Sequence, residues 1–323
     1  MKRNTLRLLA ATLLATTLGV HAQPGFPAQP LKWVVPYAPG GTTDVIARQL
    51  AIRMGQDLGQ PVIVDNKPGA ASIIGATFIA RSAPDGYTVG TADSGTLAFN
   101  PAMYSSLSYN AEKDFSFIGG LGKMPLVLAV HPAFPAKNVQ EFLALARKTP
   151  GAISSGSSGP GSPLHVALEL FKQRTQTDIL HVAYKGSAPA IQDLMAGQVN
   201  SMFVDLPPSL SMIRAGKVRV LAVATPERLS ILPDVPTMAE AGVPGFEAYA
   251  WQGFVGPAKL PPAVVERLNK DLVAALKNPE TRAKLEEIGI QPMPMTPQQF
   301  ADFTRNEQKL WSGVIKAAHI KLD

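Results

Sequence analysis

The chain contains no cysteine. That excludes disulfides, thiolate nucleophiles, thiolate metal ligands and the acylated cysteine of a lipoprotein. Histidine is scarce, with 5 residues in all, and no two are spaced as metal ligands on a helix or turn, so no metal and no cofactor is expected. No basic run interleaved with aromatics and no nucleic-acid-binding module is present, which excludes nucleic acid as an expected partner. Beyond the N-terminus there is no stretch of about 20 consecutive apolar residues that could cross a membrane. There is also no low-complexity segment and no short repeat.

What is there suits a globular protein. In 323 residues, 46% are hydrophobic and 17% charged, enough to bury the core of one large or two ordinary domains. The formal charge is +6, but Lys2, Arg3 and Arg7 belong to the opening segment; without them 27 basic residues face 24 acidic ones. That segment, "MKRNTLRLLAATLLATTLGVHA", has a charged start, an apolar stretch from Leu8 to Val20 and a Val-His-Ala end. It reads as a secretory signal peptide over residues 1–22, cleaved after Ala22, and implies a soluble protein of the bacterial periplasm.

Strand and helix patterns then alternate. "LKWVVPYA", "PVIVDN", "YTVGTAD" and "LVLAVHP" read as strands, with helical spacing over Thr43 to Gly55, Ala71 to Ala80 and Val139 to Lys148. The alternation continues through "GAISSGS", Pro163 to Arg174, "ILHVAY", Ala188 to Ala196, "SMFVDL", Ser209 to Ala215 and "VRVLAVAT", and the last third is mostly helical. Such alternation implies parallel α/β sheets covered on both faces. The number of βα units favours two domains without a flexible linker. Strand-like crossings at Met124 to His131 and Val218 to Thr225 would divide the mature chain into residues 23–124 plus 226–323 as lobe 1 and 125–225 as lobe 2. A cleft between lobes is a preferred ligand site.

Three junctions share one grammar. In "WVVPYAPGGTTDVIARQL" a strand breaks at Gly40-Gly41 and restarts as a helix through Thr42-Thr43; Gly69-Ala70-Ala71-Ser72 precedes a second helix; "SSGSSGPGS" precedes a third, with Ser162 as N-cap and Pro163 in the first turn. Free backbone N–H groups at such starts form an anion site, although a tight turn with a Thr N-cap would explain the first junction equally in composition. A phosphate loop is unsupported, because neither G-x-x-x-x-G-K-[ST] nor G-x-G-x-x-G occurs there. The serines from Ser154 to Ser162 include no G-x-S-x-G elbow, which leaves a hydrolase with His165 or His181 as base as an alternative without a motif. Tyr184 and Asp205 end predicted strands, where open α/β sheets bind ligands, or else are surface residues of their loops. Trp33, Trp251 and Trp311 are isolated in sequence and read as packing residues.

Blocks along nearly the whole mature chain closely resemble the solute-binding proteins of tripartite tricarboxylate transporters, the Bug family of periplasmic receptors. They include "VVPYAPGGTTDVIAR", "VDNKPGAASIIGA", "FNPAMYSSLSYNAEKDFSFIG", "GSSGPGSPLH", "VAYKGSAPAIQDLMAGQV" and "LAVATPERLSILPDVPTMAEAG". The resemblance implies a two-lobed periplasmic binding protein of type II-like fold, two βα sandwich lobes joined by two strand crossovers. It also implies a non-enzymatic, monomeric receptor that delivers a small carboxylate to a cognate membrane transporter or sensor protein. On matching positions the contacts would be Tyr37, Gly41 and Thr42 in the first loop, Ala71 and Ser72 in the second and Ser94 in a third, facing Ser157, Ser158, Tyr184 and Asp205. Where the family often reads Gly-Asn, this chain has Ser72-Ile73. Ile73 either lines the cleft, favouring an apolar body with one or two carboxylates, such as an aromatic or aliphatic dicarboxylate, or belongs to the core.

Overall fold

The computed structural model describes residues 25–322. The first sheet carries β1 (Leu31–Val35), β2 (Val62–Asn66) and β3 (Thr88–Asp93), parallel to one another, with β2 at the edge. α1 (Thr42–Leu58) and α2 (Ile73–Ala80) connect them. Ile46, Ala47, Leu50, Ala51, Met54 and Leu58 recur every three or four residues along α1 and form its buried face. A π-helical turn, Gly95–Phe99, and α3 (Asn100–Met103) follow β3.

The 16 residues of β4 (Phe115–Val130) join the two halves of the molecule. The strand is almost continuously apolar and buried, as expected of one covered on both faces. Its first part pairs antiparallel with β9 (Tyr249–Pro257) and with β10 (Gln291–Pro292). From Leu126 it pairs instead with β7 (Ser201–Asp205), and from Val127 with β8 (Arg219–Val223). The change of partners falls at Pro125, which has no N–H to contribute to either ladder.

The second sheet adds β5 (Ser154–Ser157) and β6 (Leu180–Ala183), parallel to β7. Its helices are α4 (Val139–Lys148), α5 (Pro163–Thr175), α6 (Ser187–Met195) and α7 (Leu206–Arg214). The last third supplies α8 (Pro262–Lys277), α9 (Pro279–Glu287) and α10 (Pro297–Ala317). α10 reaches both halves: Gln308 Nε2 donates to the Leu97 carbonyl at 2.7 Å, and Gln173 Nε2 of α5 donates to the Val314 carbonyl at 3.2 Å.

The return crossing differs from the sequence expectation. Residues 219–223 form a strand of the second sheet, and the chain from 226 to 248 stays with that half. Phe246 stacks on Phe203 with centroids 5.6 Å apart and meets Phe171 edge-on at 5.7 Å. The Met238 N–H donates to Val223 and the Val223 N–H to Pro236, both at 2.9 Å. Burial of Met238, Val243 and Phe246 thus holds the segment on the second sheet, and the crossing back occurs where β9 begins. Trp33, Trp251 and Trp311 are buried in the core.

Candidate functional site

Strand directions place the site. β3 ends at Asp93, which pairs with Gln252 of β9, and Gln252 pairs with Gly122 of β4. β7, running against β4, ends at Asp205 opposite Leu126. The C-terminal ends of the parallel strands in both sheets therefore point at each other, separated along β4 by the rise from Gly122 to Leu126, about 13 Å. The loops after β1, β2 and β3 enter this gap from one side, and those after β5, β6 and β7 from the other. All eleven residues expected to bind ligand lie on these strand ends, loops or helix starts.

On the first side the hydroxyls mostly hold the loops in shape. The Tyr37 hydroxyl donates to Asp93, and burial together with the adjacent Asp93 charge pushes its pKa well above the usual tyrosine range. Asp93 Oδ1 also accepts from the backbone N–H and hydroxyl of Thr96, each at 2.8 Å. Ser72 is 2% exposed and its Oγ lies 2.8 Å from Thr96 Oγ1, so its side chain fastens the second loop to the third. Ala71, by contrast, is exposed. Ile73 is half-buried and packs against the large hydrophobic core.

Asp44 organises the first loop. It accepts from the Gly40 N–H at 2.9 Å, from Arg48 Nε at 2.8 Å and from Asn66 Nδ2 at 2.9 Å. The Arg48 bond, with the Gly40 and Asn66 bonds, holds its carboxyl at a pKa of about 2 despite its burial. The Gly40 N–H is therefore occupied, whereas α1, with Gly41 at its N-cap, starts without a side-chain cap. So do α2, α6 and α7, which also begin at the gap. Away from the gap, α4, α9 and α10 are capped by Asn138, Asn278 and Thr296, and α8 begins after Pro261 without a side-chain cap. The third small-residue junction is closed: the Ser162 hydroxyl caps α5 by accepting from the His165 N–H.

Backbone strain concentrates in the second loop. Ala70, Ala71 and Ser72 have φ of 47°, 49° and 70°, three successive left-handed residues without glycine's freedom. Asn100 Nδ2 donates to the Ala71 carbonyl at 3.0 Å and fixes that turn. Such strain persists only where surrounding contacts enforce it.

Facing this side, Ser157 is 0% exposed and its Oγ lies 2.7 Å from His181 Nε2. It also accepts from the Gly159 N–H at 3.2 Å. A nucleophile and base could share that geometry, and here the hydroxyl is buried within the sheet. Ser158 is half-buried, and its carbonyl accepts from the Gly186 N–H. The Tyr184 hydroxyl donates to Asp193 at 2.7 Å, and burial and this carboxylate push its pKa up to about 12. Among the described residues, nothing donates to the Asp205 carboxylate, and burial raises its pKa to about 6.

Sequence reasoning missed Gln252, Thr43 and Asp93. Gln252 Nε2 donates to Thr43 Oγ1 at 2.7 Å across 209 positions, a relation without a local signal. Its Oε1 and Ser94 Oγ are buried with no partner in the protein. Both sit beside the C-terminal end of β3 at the gap, Gln252 within β9, so polar groups lacking partners lie at its floor. Among the described residues no group of three or more acidic or histidine side chains is placed to hold a metal.

Comparison with known proteins agrees with this arrangement. Residues 46–320 match the family described as "Tripartite tricarboxylate transporter family receptor". BugT of Bordetella pertussis is 35% identical over 324 residues, covering 99% of each chain. The solved structure of R. palustris Rpa4515 with adipate is 36% identical, covers 92% of this chain and 99% of its own, and superimposes with a TM-score of 0.82. MatC from Rhodopseudomonas palustris, solved with bound malate, is 33% identical, covers 90% of this chain and 100% of its own, with a TM-score of 0.77. The fold is that of these periplasmic binding proteins, and the chain belongs to the tripartite tricarboxylate transporter receptor family.

Proposed function

We propose that the protein captures a small carboxylate between its two lobes and presents it to a membrane transporter component, acting as a receptor rather than as a hydrolase. The observation that carries this reading is the convergence on one gap of three helix starts without side-chain caps, α1, α2 and α6. Their dipoles, with the first-turn N–H groups other than that of Ile73, which donates to the Ala70 carbonyl at 2.9 Å, favour a negative group. The adipate and malate in the two related structures support the same ligand class. Within this reading the first lobe comprises residues 23–124 and 249–323, the second 125–248, and the protein works as a monomer. It is exported to the periplasm with cleavage after Ala22, a position outside the described residues.

Gly41→Val tests the reading. A Cβ at Gly41 would meet only the Ala38 carbonyl oxygen, at 3.7 Å, so the fold accommodates it. Close approach of a carboxylate to the α1 start is then obstructed. Calorimetry with a panel of carboxylates should show saturable binding by the natural protein and at least tenfold weaker binding by a fully folded variant. Equal binding by both would remove the first loop from the site; product formation from a carboxylate ester would favour the hydrolase.

A further inference from the structure

A cavity of about 250 Å³ lies between α6 and α7 with β7 as its floor. Met195 of α6, Met212 of α7, and Met202 and Val204 of β7 line it, so its wall is apolar and, through three methionines, adaptable in shape. Ser187 and Asp205 also line it, and these residues begin α6 and end β7. The cavity therefore reaches the second lobe's ligand-facing edge. Its capacity exceeds the ~150 Å³ of an apolar cavity that holds benzene.

We propose that this cavity is a side arm of the ligand site, receiving an uncharged aliphatic or arylalkyl tail whose carboxylate remains at the first-lobe loops. The inference rests on the receptor reading above. Charge at the mouth sets the tail's chemistry. Asp205 has no cationic partner among the described residues, so a second carboxylate passing it would meet a like charge in a poorly solvated setting. Of the one or two carboxylates expected from sequence, a monocarboxylate with an apolar body fits better than a dicarboxylate.

The test uses the full mature chain with ε-methyl-labelled methionine, and as probes acetate, butyrate, hexanoate, 4-phenylbutyrate, adipate and octan-1-ol. Affinity should rise on the order of tenfold or more from acetate to hexanoate, since each buried methylene adds to the driving force. Hexanoate should bind better than adipate, and Asp205→Asn should narrow that gap. The methyl resonances of Met195, Met202 and Met212 should shift with hexanoate and with octan-1-ol. Ser209→Leu, which fills the cavity from α7, should abolish the length dependence while keeping acetate binding. Ile191→Phe, one turn inside α6, does the same if the Ser209 variant fails to fold. Carboxylate binding that ignores chain length and leaves these methyls unmoved overturns the side arm but not the receptor. Methyl shifts with octan-1-ol and no binding of any carboxylate overturn the receptor reading, and with it the carboxylate end of this inference.

Discussion

His165 and His181 lie face to face, ring centroids 3.7 Å apart and planes 8° from parallel. The pair stands behind the ligand-facing loop after β5. His181 Nε2 meets Ser157 Oγ, and His165 Nδ1 accepts from the Gly161 N–H at 3.0 Å. His165 is thus neutral with its proton on Nε2, directed at Glu169 Oε1 3.7 Å away. Burial, helped by Lys172 for His165 and by His165 for His181, lowers both pKa values to about 4. In the unfolded chain they return to about 6.5, so between pH 6.5 and 4 the unfolded state binds more protons. We predict that stability falls as pH drops through that window, by on the order of 3 kcal/mol from His165. His181→Phe keeps the stack but removes one proton uptake and the Ser157 partner. Urea titrations across pH should show a shallower acid slope for this variant, and calorimetry a weaker ligand affinity. An unchanged slope would mean that the rings are not neutral in the folded protein.

Asp205 should act with the opposite sign. Its folded pKa, raised to about 6, lies above the ordinary carboxyl value, so its ionisation destabilises the folded state as pH rises through 6. Asp205→Asn is therefore expected to stabilise the ligand-free protein at pH 7.5 by up to about 3 kcal/mol and to change little at pH 4. Denaturant midpoints at the two pH values decide it. Equal effects at both would locate the cost in packing instead.

Much of this site was legible because strand ends carry it. The Gly40-Gly41 junction, Tyr184 and Asp205 follow from one rule about where open α/β sheets bind ligands, and Ser162-Pro163 is a local cap signal that the helix start obeys. The α7 start was placed at Ser209 in sequence but occurs at Leu206, because Pro207 and Pro208 fit a first helical turn, where no N–H is needed. What sequence could not supply was direction. Ser157 reads like its neighbour Ser158, and only the pleat, turning Ser157 inward toward His181, separates a positioning hydroxyl from a half-exposed one. The packing of the chain before β9 was not legible either, because Phe246 is held by Phe171 and Phe203, on other elements.

Glu307 ties the crossing strands to α10. Its Oε2 accepts from Trp251 Nε1 at 2.8 Å and Trp311 Nε1 at 3.0 Å, and its Oε1 from the Tyr249 hydroxyl at 3.2 Å. Lys123 of β4 sits over the Tyr249 and Phe303 rings, at 4.2 and 5.0 Å. Burial raises the Glu307 pKa, while its three donors and Lys123 oppose that shift. Glu307→Ala would orphan two buried indole N–H groups and should cost about 3–5 kcal/mol. Glu307→Gln retains an acceptor and should cost markedly less. If thermal unfolding ranks the two variants together, the donors are satisfied elsewhere.

The left-handed run before α2 gives a prediction that separates strain from function. Ala71 is exposed, so shortening its side chain removes little packing, and glycine relieves a left-handed penalty of about 1–2 kcal/mol. Glycine also gains freedom in the unfolded chain, worth about 0.4–1 kcal/mol in the other direction. Ala71→Gly should therefore leave stability unchanged or raise it by up to about 1 kcal/mol. Asn100→Leu acts on the restraint itself. It removes the amide that holds the Ala71 carbonyl and contacts the Tyr109 hydroxyl at 3.3 Å, at an expected cost of about 1–3 kcal/mol. If the turn's shape presents the α2 start to a carboxylate, both variants should bind more weakly, Ala71→Gly through lost preorganisation without lost stability. Calorimetry paired with urea denaturation resolves this. Ala71→Gly protein that is more stable and binds as tightly as the natural protein would show that the strained turn serves only the packing of α2.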